Sequence, residues 1–289
     1  MSTADTRLPT CYRHPDRETG LSCSECGRPI CTECMTPAPV GLRCPDHAGS
    51  RKRVTPPRVV RRTSARFVQA PVTKILVGLN IAVYLITAVQ GNGINTPGGA
   101  LFDKFILYGP YIAHGDWWRL VTPMFLHGYL LHLGFNMFAL WVIGRAVEQY
   151  LGSLRYVLLY FVSGLAGSAG ALVYAPHAPG VGASGAIFGI LGAMLILEWQ
   201  HTGKFGGQAA TLIALNLVLN FAYNGVGGNI SIGAHIGGLI GGILVTLAFA
   251  NWGRGHAAYG KVGLLGGAGV LAVAAVSVLI AYFQVRGMA

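Results

Sequence analysis

Charged residues are scarce in this 289-residue chain, and the scarcity is confined to one part of it. Asp, Glu, Lys and Arg make up 11% of the residues, whereas a typical soluble domain carries about 25%. Residues 1–74 hold 13 of the 21 Lys and Arg and 6 of the 10 Asp and Glu, which leaves 8 and 4 for the rest. The deficit excludes an ordinary soluble domain after residue 74 and indicates a polar, basic head followed by an apolar body.

Cysteine is missing from the apolar body, since all six cysteines lie between Cys11 and Cys44. The first 70 residues contain no apolar run of the kind found in a secretory signal, so we expect no signal peptide. The net charge of +11 comes mostly from the junction RKRVTPPRVVRRTSARF. A basic run beside a bilayer is typical of juxtamembrane charge, and because no recognition motif accompanies it, we expect no nucleic-acid partner.

The cysteines and two histidines of the head form four pairs, each with two residues between its members. Gaps of two residues bring both side chains of a pair to one metal, so eight ligands predict two tetrahedral Zn²⁺ sites. About 40 residues cannot build a self-supporting core, so the metal would supply folding energy. Three disulfides are the alternative, but they do not explain the histidines. The predicted ligand pairs are Cys11 and His14, Cys23 and Cys26, Cys31 and Cys34, and Cys44 and His47.

The spacing C-x2-H-x8-C-x2-C-x4-C-x2-C-x9-C-x2-H resembles a B-box type zinc finger, although its last pair departs from the His-rich ending of that family. The resemblance implies a cross-brace in which alternate pairs share a metal. Cys11, His14, Cys31 and Cys34 would then bind one ion, and Cys23, Cys26, Cys44 and His47 the other. The head carries no evident catalytic group, so we expect a small interaction or regulatory module with a protein partner.

Seven apolar segments after the basic linker are long enough to span about 30 Å of hydrocarbon. We therefore expect a zinc-binding domain over 1–50, a linker over 51–70 and an all-helical membrane domain over 71–289. The long first gap, 91–124, is partly apolar, and we expect it to lie at the membrane interface. The predicted spans are 72–90, 125–148, 154–174, 183–200, 208–224, 231–250 and 262–283.

Positive charge predicts the orientation of these spans. If the head is cytoplasmic, the inner loops collect far more basic residues than the outer ones, which favours that orientation. The C-terminus would then lie outside. The inner residues are Arg145, Arg155, Lys204, Arg254 and Lys261, together with the head, and the outer ones are Lys104, Arg119 and Arg286.

Glycines recur at steps of three and four in the fourth and sixth spans and predict close helix packing. Ser184 lies within the first of these series, in GVGASGAIFGILG, where serine is a common packing residue. On this segment alone, packing is the better interpretation. The glycines of the two series are Gly182, Gly185, Gly189 and Gly192, and Gly233, Gly237, Gly238, Gly241 and Gly242.

Polar residues inside a bilayer need a functional or structural reason, and four of them lie at similar predicted depth below the outer surface. Ser184 begins the fourth span, His235 follows one turn into the sixth, and His132 and Asn136 share a face of the second. These residues form a chemical set in which Ser184 is a nucleophile and His235 its general base. No Asp or Glu is predicted at this depth, so a Ser–His dyad is favoured over a triad. The Ser184 N–H, His132 and Asn136 would stabilise an oxyanion.

Four ordered motifs carry a resemblance to rhomboid intramembrane serine proteases: WWRLVTPMFLH, HLGFNMFALWVIG, GASGAIFG and AHIGGLIGG. The resemblance covers about residues 70–250 and implies a six-helix core, here with a seventh, C-terminal helix. It implies a catalytic dyad of Ser184 and His235, with His132 and Asn136 as the oxyanion pair. Trp118 and Arg119 correspond to a structural pair in the first loop, and His127 to a residue that supports the catalytic groups from behind or holds water.

The resemblance implies an endopeptidase that cleaves single-pass transmembrane substrates in the bilayer, and catalysis without a cofactor. We expect a bacterial plasma membrane protein whose active site opens to the extracytoplasmic side. One alternative is a catalytically silent protein of the same fold that binds or chaperones membrane proteins. Another is a transporter or channel, which the absence of an internal repeat and of paired midplane charges disfavours.

Overall fold

The computed structural model describes residues 8–38, 40–48, 70–225, 230–253, 256–258 and 262–288, apart from the side chain of Tyr223. The chain divides into two compact units, Met1–Phe67 and Val68–Ala289. The predicted linker, 51–70, lies outside the described residues except for its last position.

The N-terminal unit is built from two small antiparallel hairpins. Strands β1 (Thr10–Cys11) and β2 (His14–Glu18) form one, and β3 (Thr36–Pro37) and β4 (Leu42–Arg43) form the other. Its buried apolar cluster consists of five cysteines and Ile30. A core this small cannot offset the conformational entropy of the chain, which fits the expectation that a metal stabilises this unit.

The second unit is helical. A long first helix, α1 (Pro71–Gln90), is followed by short helices and then by the long ones that form the body of the unit. Between α4 and α5 the chain continues through a π-helical turn, Leu140–Gly144, so that Leu130–Leu151 is one helical rod. The remaining helices are α2 (Ala100–Phe105), α3 (Gly109–Ala113), α4 (Leu130–Ala139), α5 (Arg145–Leu151), α6 (Ser153–Tyr174), α7 (Ser184–Thr202), α8 (Gln208–Gly225), α9 (Ile232–Phe249) and α10 (Leu264–Val285).

The long helices give the chain the character of an integral membrane protein. Five helical stretches in the described residues are long and apolar enough to cross a membrane by length and composition: α1, Leu130–Leu151, α6, α9 and α10. The other two predicted spans coincide with α7 and α8. Large apolar side chains face outward, as lipid contact requires; Leu131, Phe135 and Phe138 of α4 are each about 70% exposed. The predicted all-helical membrane fold with an additional C-terminal helix is confirmed.

Close approach of small residues brings α7 and α9 together. A Cβ on Gly238 would overlap the carbonyl group of Gly185, and one on Gly242 would overlap that of Gly189. Only residues without a side chain allow two backbones to come this near. The predicted glycine seam is therefore the contact between these two helices.

Two carboxylates accept hydrogen bonds from the N-termini of other helices, and of these Glu148 is buried and Glu198 half-buried. Glu148 accepts hydrogen bonds from the backbone of Val72 and Thr73, at 3.0 and 2.8 Å, and so caps α1. Glu198 accepts from the amide of Ala209, at 3.1 Å, and caps α8. A helix N-terminus carries free N–H groups and a partial positive charge, so each carboxylate is stabilised where it lies.

Candidate active site and metal-binding clusters

Ser184 is the first residue of α7, and backbone hydrogen bonds to the first loop hold the turn that precedes it. The amide of Gly182 donates to the carbonyl of Pro123 at 2.9 Å, and Gly180 pairs with Leu107 through two backbone hydrogen bonds. Gly182 has φ +126°, a conformation that other residues rarely adopt. This turn places the hydroxyl of Ser184 at the end of a helix whose first N–H groups have no partner within the helix.

His235 lies opposite Ser184, one turn into α9. Its Nε2 is 2.9 Å from Ser184 Oγ, and the imidazole is buried, with 5% of the residue exposed. Phe188, one turn after Ser184, stacks on the ring with centroids 4.2 Å apart and planes 11° from parallel. The structure thus brings the predicted nucleophile and base into direct hydrogen-bond contact.

A residue that the sequence did not single out contacts the other side of this imidazole. Asn220 of α8 places its side-chain amide 2.6 Å from His235 Nδ1, and only 7% of the residue is exposed. No motif marks this asparagine, because α8 carries several asparagines and the helical period alone does not say which of them faces α9.

The two predicted oxyanion residues differ in their contacts, and only His132 is placed beside the nucleophile. A Cβ on Gly182 would meet His132 Nε2 at 2.7 Å and Ser184 Oγ at 3.6 Å, so both groups flank the same glycine. Asn136 is buried one turn below, and its amide nitrogen donates to the carbonyl of His132 at 2.8 Å. His132 is thus directed at the turn beside Ser184, whereas the Asn136 amide is engaged within its own helix.

His127 lies behind His132. Their rings meet edge to face with centroids 5.0 Å apart, and His127 is fully buried. Within the described residues neither of its ring nitrogens has a hydrogen-bond partner. A buried polar group of this kind is usually satisfied by water, which fits the expected water-holding position.

Trp118 and Arg119 hold the first loop together. Trp118 Nε1 donates to the carbonyl of Lys104 at 3.2 Å. The buried Arg119 guanidinium donates to the carbonyls of Asp103 and Ile106, at 2.7 and 3.0 Å. Its Nε also donates to Asp116 at 2.8 Å. These hydrogen bonds satisfy carbonyl groups at the end of the short helix α2. The contacts of the pair are therefore those expected of structural residues.

The eight Cys and His residues of the N-terminal unit gather into two groups of four. In each group, one ligand atom per residue lies within 4.8 Å of the others. The six cysteines are all free thiols, which contradicts the disulfide alternative. The grouping is the alternating one that the B-box resemblance implied: Cys11, His14, Cys31 and Cys34 in one, and Cys23, Cys26, Cys44 and His47 in the other.

The distances within these groups suit a tetrahedral ion. His14 Nδ1 is 3.4 Å from the Sγ atoms of Cys31 and Cys34, and Cys26 Sγ is 3.9 Å from Cys44 Sγ. Tetrahedral Zn²⁺ with bonds of about 2.3 Å to sulfur separates its ligand atoms by about 3.6–3.8 Å. Both clusters can therefore hold a metal ion of this kind.

Backbone hydrogen-bond donors favour the thiolate form of two of these cysteines, Cys11 and Cys23. Although burial opposes ionisation, a backbone hydrogen bond from Arg13 helps to lower the pKa of Cys11 to about 6. Burial is likewise outweighed at Cys23, where a backbone hydrogen bond from Cys44 helps to lower the pKa to about 6. The thiolate is the form that binds metals.

Comparison with known proteins places residues 114–252 in a family model described as the Rhomboid domain. The chain is 36% identical over 180 residues to "Rhomboid protease GluP" of Bacillus subtilis (strain 168), over 61% of this chain and 34% of that protein. It is 32% identical over 181 residues to "Putative rhomboid protease YdcA" of the same organism, over 61% of this chain and 87% of YdcA. It is also 36% identical over 140 residues to "RHOMBOID-like protein 6, mitochondrial" of Arabidopsis thaliana, over 44% of each chain. The match thus spans only about a third of GluP but most of YdcA.

Proposed function

Because the chain belongs to the rhomboid family, we propose that it is an intramembrane serine endopeptidase that cleaves transmembrane segments of membrane proteins. The observation that carries the proposal is the 2.9 Å contact between Ser184 Oγ and His235 Nε2 in a buried site. A nucleophile and base within hydrogen-bond reach are the minimum that acyl transfer by serine needs.

In the proposed reaction, Ser184 Oγ attacks the carbonyl carbon of the scissile peptide bond while His235 Nε2 accepts the hydroxyl proton. Collapse of the tetrahedral intermediate breaks the C–N bond, and His235 returns the proton to the leaving amine. Water then attacks the acyl-serine ester with His235 again as base, releasing the acid and restoring Ser184. Because the site is buried, its hydrogen-bond donors act in a low-dielectric surrounding, where they stabilise the developing negative charge more strongly than in water.

The oxyanion of the intermediate would be stabilised at the start of α7. The Ser184 N–H lies at the positive end of a helix, and His132 is directed at the same turn. Asn136 would join them after its amide leaves the carbonyl of His132, as catalytic hydrogen bonds often form only in the substrate complex.

The substrates in this proposal are single-pass transmembrane proteins that reach the protein within the lipid bilayer. The distribution of Lys and Arg supports a cytoplasmic N-terminal unit and an active site open to the extracytoplasmic side, and the Bacillus relatives support a bacterial plasma membrane. The N-terminal unit would hold two structural Zn²⁺ ions and bind a protein partner. A catalytically silent relative is disfavoured because both catalytic side chains are present and in contact.

Labelling by a fluorophosphonate tests the proposal directly, since this reagent reacts preferentially with an activated serine. We expect the full chain in detergent micelles to be labelled, Ser184→Ala to be unlabelled, and His235→Ala to react more than about a thousandfold more slowly. Ser277→Ala is the matched control, because Ser277 of α10 donates to the carbonyl of Val273 within its own helix.

Cleavage of a single-pass segment in proteoliposomes supplies the second readout, and it should follow the same order of variants. Labelling that survives Ser184→Ala, or that is indifferent to His235→Ala, would refute the proposed dyad.

A further inference from the structure

We propose that Asn220 is a positioning residue that orients His235 within the proposed Ser–His dyad. This inference rests on the proposed function. In this proposal, the hydrogen bond from the Asn220 side chain on α8 selects which nitrogen of the His235 ring carries the proton.

The imidazole is held on three sides. Ser184 Oγ contacts Nε2 at 2.9 Å and the Asn220 amide contacts Nδ1 at 2.6 Å. Phe188 stacks on the ring face. Stacking fixes the plane of the ring, and the two hydrogen bonds fix its rotation within that plane. Removing Asn220 would leave only one contact to set that rotation.

The chemistry requires a particular tautomer. His235 can accept the Ser184 proton at Nε2 only if the ring proton is on Nδ1. An Nδ1–H group needs an acceptor, and the amide oxygen of Asn220 is one. The structure has the amide nitrogen toward Nδ1, which pairs with the opposite tautomer, in which Nε2–H donates to Ser184. A half-turn of the amide exchanges its oxygen and nitrogen, and the half-turned orientation is the one that makes Nε2 a base.

The carboxyl groups of the described membrane unit are in other positions. Glu148 and Glu198 cap α1 and α8, and Asp116 accepts from Arg119. Asp103 lies exposed in α2. The titratable side chain that α4 places at this site is His132, whose Nε2 lies beside Gly182 together with Ser184 Oγ, and α7 and α8 present Ser184, Phe188 and Asn220 to the ring. The neutral amide is therefore the group placed to accept from Nδ1.

The position of Asn220 on α8 argues against a packing role. Its neighbours Val218, Leu219 and Phe221 are 56–64% exposed and suit lipid, whereas Asn220 is turned inward. An amide at a buried membrane position costs free energy unless it forms hydrogen bonds, and a leucine would fill the space without that cost. Orientation of His235 supplies the reason for an amide at this position.

Asn216, one turn earlier on α8, is a matched control. Its amide nitrogen donates to the carbonyl of Leu212 at 2.8 Å, within the same helix, and it is half-buried. Replacing either asparagine by leucine makes the same chemical change in the same helix, and only Asn220 contacts the imidazole.

The experiment measures fluorophosphonate labelling of the full chain from pH 5 to 9 and separates the maximal rate from the half-saturating probe concentration. We expect Asn220→Leu to lower the maximal rate about a hundredfold with the half-saturating concentration unchanged, and Asn216→Leu to stay within about threefold. Asn220→Asp places a charged acceptor at Nδ1 and favours the imidazolium. The rising limb of its rate–pH profile should therefore move to higher pH by about one unit, while Asn216→Asp leaves the limb in place.

Equal rates for the two leucine variants would overturn the inference, as would a rate–pH limb in Asn220→Asp that does not move. The aspartate variant keeps the test decisive if Asn220→Leu does not fold. An unchanged chain that is not labelled at all would refute the proposed function and this inference with it. Normal labelling with an indifferent Asn220 would refute the inference alone.

Discussion

At the scale of single residues, the geometry of the proposed active site depends on the turn that precedes Ser184 at the start of α7. Gly182 is in a left-handed conformation, and its amide is tied to Pro123. His132 Nε2 and Ser184 Oγ both lie close to the position that a Cβ on this glycine would take. A side chain at this position would both strain the backbone and push on the group expected to stabilise the oxyanion.

Gly182→Ala tests this dependence. The added Cβ would lie 2.7 Å from His132 Nε2 at a φ of +126°, so we expect the labelling rate of Ser184 to fall at least about tenfold. Gly128→Ala is the control, since a Cβ there would meet Val181 at 3.9 Å, an ordinary contact. Equal rates for the two alanine variants would contradict this account.

The sequence allowed Ser184, His235, His132 and Asn136 to be proposed together, because a polar residue in an apolar span is conspicuous and spans have predictable depth. Asn220 escaped notice for a physical reason. Asn216 lies four residues away on the same helix, and nothing in the sequence distinguishes an amide that bonds its own helix from one that bonds another. Only the packing of α8 against α9 makes that distinction.

At the scale of helices, the seam between α7 and α9 sets the distance between nucleophile and base. Ser184 is on one helix and His235 on the other, and the closest backbone contacts are the pairs described above, Gly185 with Gly238 and Gly189 with Gly242. A wider seam would lengthen the 2.9 Å contact. The glycines therefore pack the two helices and, in the proposed function, also set the geometry of the dyad.

Widening the seam by one methyl group should affect stability and activity together. In Gly238→Ala the new Cβ would overlap the carbonyl of Gly185, whereas Gly267→Ala in α10 meets nothing within 4 Å. We expect Gly238→Ala to lower the free energy of unfolding by about 1–3 kcal/mol and to slow labelling of Ser184, with Gly267→Ala within about 0.5 kcal/mol of the unchanged chain. Denaturant unfolding in micelles measures the change in the free energy of unfolding. A Gly238→Ala variant as stable and as active as Gly267→Ala would contradict the role given to the glycine seam.

The long helices were predictable because their apolar length is a direct requirement of the bilayer. The first loop was predicted only as an interfacial segment, and its short helices α2 and α3 were not foreseen. Helices of five or six residues have too little sequence to show a period, and they are held by long-range contacts such as those of Arg119.

At the scale of the whole molecule, the two units are stabilised by different means. The membrane unit buries a large apolar cluster, whereas the buried cluster of the N-terminal unit is mostly thiols. The paired spacing of Cys and His predicted four ligand pairs and two metal sites, and the B-box resemblance implied which pairs share an ion; the structure gathers the residues in that grouping.

Metal analysis of the full chain tests the N-terminal unit. We expect two zinc ions per chain, about one in Cys23→Ser, and two in Thr32→Ala, whose exposed side chain is outside both clusters. A chelator should unfold this unit and leave α-helix content unchanged, since the unit contributes only strands and turns among its described residues. A folded, metal-free N-terminal unit would contradict the prediction.

The cap that Glu148 provides for α1 has a consequence for synthesis of the chain. The amides of Val72 and Thr73 are made about 75 residues before the carboxylate that accepts from them. At about 5–20 residues per second, the ribosome needs about 4–15 seconds to cover that interval. During this interval the amides of Val72 and Thr73 lack the carboxylate that later accepts from them. Water, lipid headgroups or the insertion machinery must accept their hydrogen bonds instead. The first span therefore reaches its final hydrogen-bonded state only after the second has been translated.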